Sequence, residues 1–197
     1  MDRLGIIGPV STRPTPEDEL FAARVDGSPP RSGPVVLVEY DADWPRVFGR
    51  EEARIREALG DAALQVEHVG STSIPGIAAK PIIDIVLVVI DPADEPAYVP
   101  ALTAAGYRLR IREPEWFEHR VLKRTKPDVN LHVFPPGCVE VERMLRFRDR
   151  LRRDAGDREL YELTKRELAK REWKYVQHYA DAKSDVVEDI LRRAHAQ

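Results

Sequence analysis

Residues 67–85 read Glu67-His68-Val69-Gly70-Ser71-Thr72-Ser73-Ile74-Pro75-Gly76-Ile77-Ala78-Ala79-Lys80-Pro81-Ile82-Ile83-Asp84-Ile85. The stretch begins as a strand and breaks at a Gly-Ser pair. A loop rich in glycine, proline and small hydroxyls follows, and then a second strand. Backbone N–H groups of such a turn, with the hydroxyls of Ser71, Thr72 and Ser73, suit a phosphate. Lys80 adds a positive charge nearby in the chain. Ile82 to Ile90 is an almost unbroken β-branched run, the pattern of a strand buried at the sheet centre. Asp84 lies inside that run, where a lone carboxylate is costly unless it is paired or binds a metal.

Upstream, Ala63 to Val69 is strand-like. Asp43-Trp44-Pro45 opens a helix running to about Leu59, with Val47, Phe48, Ile55 and Leu59 on its apolar side and Gly60 as its stop. The folded body is expected to begin at Val35, where VVLVEY forms a short strand or extended lead-in. Residues 1–34 differ from the rest, holding six of the 16 prolines. Within them Thr15-Pro16-Glu17-Asp18 has the hydroxyl, proline and acids of a helix start. A short helix near 16–25 is predicted in an otherwise irregular arm, with 27–34 as a linker.

Downstream, Asp94 to Ala105 reads as a helix ended by Gly106. Tyr107 to Ile111, Phe117 to Arg124 and Val129 to Phe134 read as strands, and Pro135-Pro136-Gly137 as a sharp stop. From Val139 onward the pattern is helical, with breaks near Gly156 and Trp173. Helices and strands mix in an α+β or α/β order, closed by a helical tail.

The 197 residues suit one domain with an arm, and 43% hydrophobic with 33% charged residues reads as globular. No apolar run approaches the roughly 20 residues that cross a bilayer. The start MDRLGIIGPV lacks a signal-peptide core, so a cytoplasmic, membrane-free protein is expected. The single cysteine, Cys138, permits neither an internal disulfide nor a cysteine zinc cage. A net charge of −3 argues against whole-surface attraction to nucleic acid. Dinucleotide, P-loop, zinc-protease and nucleophile-elbow strings are absent.

The string EHVGSTSIPGIAAKPIIDI resembles the signature of the GrpB family, an uncharacterised family related to the polymerase-β-type nucleotidyltransferases. NLHVF at 130–134, LRFRDRL at 145–151 and YADAK at 179–183 fit the same family, so the resemblance spans roughly 35–195. It implies an α+β fold: a nucleotidyltransferase-like mixed sheet with flanking helices and a C-terminal helical segment. In that superfamily the Gly-Ser turn helps hold a triphosphate, and three carboxylates on two strands hold two Mg²⁺ ions. Carried over, Gly70 and Ser71 match the phosphate turn and Asp84 the first carboxylate. Val86 stands at the second carboxylate position, and the third falls at or beside His132.

The resemblance therefore implies a nucleoside triphosphate and a divalent cofactor, Mg²⁺ or Mn²⁺. Asp84, Glu67 and His132 are its candidate ligands, and Asp84 and His132 the candidate catalytic pair. Histidine suits Mn²⁺ better than Mg²⁺, and His68 is a further substitute ligand or base. Gly70, Ser71, Thr72, Ser73 and Lys80 are the candidate phosphate contacts. Arg120 is a possible bidentate clamp, and Tyr179 with Lys183, one helical turn apart, could close over base and phosphate. Arg143, Arg146, Arg150 and Arg153 share one helix side, either as a solvated face or as an anion-binding flank. His119, His178 and His195 lack supporting context. Two functions fit: nucleotidyl transfer to an unknown small-molecule or protein acceptor, or a nucleotide-binding accessory module that steadies a partner enzyme.

Overall fold

The computed structural model describes residues 14–195. Helix α1 spans Glu17–Ala22 and α2 spans Trp44–Leu59, the latter with Pro45 in its first turn and Gly60 in the left-handed region after its end. Strands β1 (Gln65–Val69) and β2 (Ile83–Val88) flank the loop that opened the sequence, which contains a 3-10 turn at Ser71–Ser73. The helix expected over 94–105 is split: a 3-10 turn at Glu95–Ala97, then α3 at Val99–Ala104. Pro96 and Pro100 each lack an N–H, so neither can sit inside a continuous helix, but each is tolerated in a first turn.

Strands β3 (Arg108–Glu113), β4 (His119–Thr125) and β5 (Asp128–Phe134) follow. The tail forms α4 (Val139–Arg153), α5 (Ala155–Ala169), α6 (Val176–Asp181) and α7 (Ser184–His195). The first break falls at Asp154 rather than at Gly156. The Asp154 carboxylate accepts the Asp157 N–H at 2.8 Å and so starts α5 as its N-cap.

The five strands form one sheet in the order β1-β2-β5-β4-β3. Only β2 and β5 run parallel, and the other pairs are antiparallel. One face carries Ile83, Ile85, Leu87, Leu131 and Val133 against Trp44 and Ile55 of α2 and Leu102 of α3. The opposite face carries Val86, Val88 and Phe134 against Met144, Phe147 and Leu151 of α4, Tyr161 of α5 and Ile190 of α7. β2 is buried on both faces, which explains its unbroken apolar run. Alternation puts Asp84 on the second face with Val86, and the register sets Asn130 directly opposite Asp84 and His132 opposite Val86.

The arm was expected to be irregular apart from one short helix, with a linker at 27–34; after α1 it forms no further helix or strand before α2, and several of its residues are anchored on the body. Leu20 is buried, and Thr15 donates from its N–H and its hydroxyl to the Asp181 carboxylate at 2.8 and 2.9 Å. Ala23 and Val25 pair with Arg112 and Arg110 at the free edge of β3, and the Arg31 carbonyl accepts the Val176 N–H. An exposed sheet edge presents unpaired backbone groups, so the arm satisfies part of it. Among the described residues no helix is long and apolar enough to cross a membrane.

Candidate functional site

The turn after β1 is built around Gly70. Its φ is +68°, and a Cβ there would lie 2.5 Å from Asp84 Oδ2, so a residue without a side chain lets the backbone approach the carboxylate. The hydroxyls that follow divide their work. Ser73 donates to the Gly70 carbonyl at 2.6 Å, and Thr72 donates to the Ile82 carbonyl at 3.1 Å, with His68 Nε2 also 3.1 Å away. Both side chains are buried, so Thr72 and Ser73 hold the loop rather than reach for a ligand. Ser71 is half-buried, 3.5 Å from the Tyr161 hydroxyl, and faces the cavity.

Asp84 Oδ1 accepts from the Asn130 amide at 2.7 Å. Burial alone would raise the Asp84 pKa, but the groups around it, the Asn130 amide and Lys80 among them, outweigh it and hold the carboxyl below its usual value. Asp84 is therefore an anion at neutral pH.

Three lysines surround it. Lys183 follows α6, Lys165 lies on α5, and Lys80 ends the loop before β2. Lys165 and Lys183 are buried, at 1% and 7% exposure, and Lys80 is half-buried. Lys183 and Lys80 lie 5.1 and 5.6 Å from the Tyr179 ring, and Lys165 lies 4.9 Å from the Tyr161 ring. The Lys165 ammonium donates to the Ala78 carbonyl. Burial pushes Lys165 down to about 7, helped by the charge of Lys183. Lys80 and Lys183 are each pushed down to about 8, again chiefly by burial.

These groups open onto a cavity of about 150 Å³, roughly ten times the space one water needs. Arg110 and Lys123 from the sheet and Arg24 and Arg31 from the arm complete its basic lining, while Asp84 is the single acid among the described lining residues. Seven basic side chains line the cavity against one acid; Arg110 is paired with Asp26, and Arg31 and Lys123 with Asp128, so the three lysines around Asp84 give it most of its positive character.

The structure brings Gly70, Ser71, Lys80, Asp84, His132, Tyr179 and Lys183 to this cavity, all of them candidates from the sequence. It does not bring Glu67, whose carboxylate is engaged by Arg148 at 2.8 Å. Nor does it bring Arg120. Alternation along β4 sends that side chain to the other face, where it is held by Glu95 at 2.8 Å and Glu118 at 3.2 Å. His68 also points to that face, lies flat on Phe48 and is held down to about 4 by burial, so it stays neutral.

On the arginine side of α4, Arg143, Arg146 and Arg150 are engaged in ion pairs. Arg143 pairs with Glu140 and Glu188, and Arg150 with Asp154 and Asp157. Arg148 is held by Glu67 and Asp149, and Arg152 donates to the Ser73 carbonyl.

Lys165, Tyr161 and Asn130 join the site without having been singled out. A lysine on the buried stripe of α5, between Tyr161 and Leu168 at helical spacing, was the available signal for Lys165. His119, set aside for want of context, stands behind His132: His119 Nε2 is 3.1 Å from His132 Nδ1, and His119 Nδ1 is 2.7 Å from Glu113.

The donor set does not match a two-metal centre. Among the described residues no three His, Cys, Asp or Glu side chains cluster to hold a metal ion. Val86 and Asn130 offer no carboxylate beside Asp84, and His132 Nε2 lies 3.9 Å from Asp84 Oδ1. Mg²⁺ takes many of its oxygen ligands from phosphate and water, and Asp84 is the one carboxylate that the described lining residues offer it.

Comparison with known proteins agrees with the fold. A family profile described as GrpB protein matches residues 34–193. A UPF0157 protein of Halalkalibacterium halodurans is 56% identical over 94% of this chain and 95% of its own. A dephospho-CoA kinase of Mycolicibacterium paratuberculosis is 33% identical over 82% of this chain but only 46% of its own length. The crystal structure of the conserved protein GrpB from Enterococcus faecalis superposes with a TM-score of 0.71 at 27% identity, covering 81% of this chain and 96% of that one.

Proposed function

This chain belongs to the GrpB family, and on that premise we propose that its lysine-lined cavity binds a nucleoside triphosphate and transfers the nucleotidyl group to an acceptor held beside Asp84. The observation that carries the reading is the pair Lys80 and Lys183. Neither ammonium has an ion-pair partner among the described residues, and both are displaced from their ordinary pKa by burial. Burying uncompensated charge is costly, and a polyanion is the ligand that offsets it. Ser71 and the backbone of its turn add neutral donors.

In the wider superfamily, metal ions neutralise the triphosphate. Here the lysines would supply that charge, so nucleotide binding is expected to persist in EDTA. Asp84 and His132 lie on the same wall and would hold the acceptor rather than the phosphates, because an anion and a ring acceptor repel phosphate.

The test is a thermal-unfolding titration with ATP, GTP, CTP and UTP, in EDTA and in Mg²⁺ or Mn²⁺. A ligand that binds only the folded state stabilises it by about 2.7 kcal/mol at a hundredfold excess over its dissociation constant. At least one triphosphate should raise the midpoint while its nucleoside does not. No shift at millimolar triphosphate would sink the proposal.

A second reading, a nucleotide-binding accessory module, is favoured by Val86 at the second carboxylate position. His132, at or beside the third carboxylate position, and Asn130, opposite Asp84 in the register, are not acids either, and the relative named dephospho-CoA kinase, in which the matching segment is 46% of a longer protein, favours it too. Binding without any turnover, together with stabilisation of that class of kinase on mixing, would select it.

A further inference from the structure

Four side chains from four strands make a line that ends in the cavity. Glu113 closes β3, His119 opens β4, His132 lies on β5 and Asp84 on β2. Glu113 Oε2 is 2.7 Å from His119 Nδ1, and His119 Nε2 is 3.1 Å from His132 Nδ1. The two imidazole planes differ by 8° and their centroids lie 5.3 Å apart. With nitrogens 3.1 Å apart, that separation is what two rings reach edge to edge through one N–H···N bond, not one above the other. The bond thus lies in both ring planes, the direction in which an imidazole N–H donates and a ring lone pair accepts.

The line has a sense. An ionised carboxylate only accepts, so His119 Nδ1 carries the proton given to Glu113. With His119 neutral, its Nε2 is an acceptor and His132 Nδ1 donates to it. That leaves His132 Nε2 as a bare lone pair. This atom is buried, has no hydrogen-bond partner and lies 3.9 Å from Asp84 Oδ1. Two acceptors facing each other at that distance repel, and a ligand donor at Nε2 satisfies the buried lone pair. His119 and His132 are 0% and 2% exposed, so water does not compete freely for the gap.

We propose that His132 Nε2 is the general base of this site, that His119 and Glu113 position it and fix its tautomer, and that the acceptor is a compound presenting an O–H between His132 and Asp84. The inference rests on the nucleotide reading above. In the step, the acceptor hydroxyl gives its proton to Nε2 as its oxygen bonds the α-phosphorus. The bond from that phosphorus to the bridging oxygen breaks, and pyrophosphate leaves toward Lys80 and Lys183. The imidazolium so formed shares its charge with Glu113 through the N–H of His119, then releases the proton to solvent. Asp84 orients the hydroxyl. His132 would be a catalytic residue, and His119 and Glu113 positioning residues.

The first measurement is histidine-selective ¹⁵N NMR of the full chain, which reads the proton on each ring nitrogen without any ligand. His132 should show a protonated Nδ1 and a bare Nε2. A proton on Nε2 would overturn the proposal, since that atom could then accept nothing. The second is pyrophosphate release from the nucleoside triphosphate that binds best, with water as surrogate acceptor. His132→Gln should lose about 100-fold and Glu113→Gln about tenfold, the range in which positioned bases act. The nucleotide-induced rise in unfolding midpoint should stay unchanged in Glu113→Gln. Nucleotide binding without pyrophosphate release from the wild-type chain would refute the base while leaving the nucleotide site standing. An absence of nucleotide binding would instead remove the reading beneath it.

Discussion

At the scale of single residues, the site depends on what is missing from a side chain as much as on what is present. Gly70 has no Cβ, and adding one would put a methyl carbon 2.5 Å from Asp84 Oδ2 at a φ of +68°. Gly70→Ala should destabilise the protein by about 2 kcal/mol or more from backbone strain and contact together, read as a lowered urea midpoint. An unchanged midpoint would show that the turn can reshape. Lys183 poses the opposite case. Its ammonium is buried with no ion-pair partner among the described residues, so Lys183→Met should raise the unfolding midpoint of the free protein, as replacing a buried charge by an apolar group of similar size does. The same change should weaken triphosphate binding by roughly ten- to a hundredfold, the worth of a lost charge-assisted hydrogen bond. Stability and binding would move in opposite directions, which a purely structural lysine would not produce.

At the scale of elements, the loop between β1 and β2 was legible because its composition leaves few choices: a Gly-Ser break after a strand, then an apolar run that only a doubly buried strand explains. Asp84, Ser71 and Lys80 came with it. The His119 partnership was not legible, since it depends on the register between β4 and β5 and on the tight turn at Phe117 and Glu118, both with positive φ. Nor was the face of Arg120, because a strand placed without its register leaves each side chain on either side of the sheet.

The arm belongs to this scale too. Its proline and glycine content suggested an irregular lead, yet Thr15, Leu20 and the pairing with β3 tie it down. It also delivers Arg24, Pro30 and Arg31 to the cavity. Asp181→Ala removes the acceptor of Thr15's N–H and hydroxyl. It should expose residues 26–34 to limited proteolysis several times faster while the 35–195 fragment stays intact. Equal cleavage rates would mean that the arm is held by its β3 pairing alone.

At the scale of the whole molecule, a chain of net charge −3 gathers positive charge into one cavity, and this has a pH signature. Lys165 is pushed down to about 7 and Lys80 and Lys183 to about 8, all mainly by burial, while unfolded lysine titrates near 10.4. Between these values the unfolded chain binds more protons than the folded one, so stability from these groups rises with pH from about 7 to about 10. Above that window, Tyr98 and Tyr179, whose pKa values burial raises, begin to act in the opposite sense. Unfolding midpoints from pH 7 to 9.5 should therefore climb in the free protein. With saturating triphosphate the climb should flatten, because the anion restores the lysine protons. A midpoint that falls steadily across the range in the free protein would contradict the burial of these charges.

The central claim is that the lysines themselves hold the phosphates. Its most direct test is calorimetric titration of a nucleoside triphosphate into wild-type and Lys183→Met protein in EDTA. The account predicts one-site binding to the wild type without metal and at least tenfold weaker binding to the variant. Binding that requires a divalent ion, or that is equal in both proteins, would contradict it.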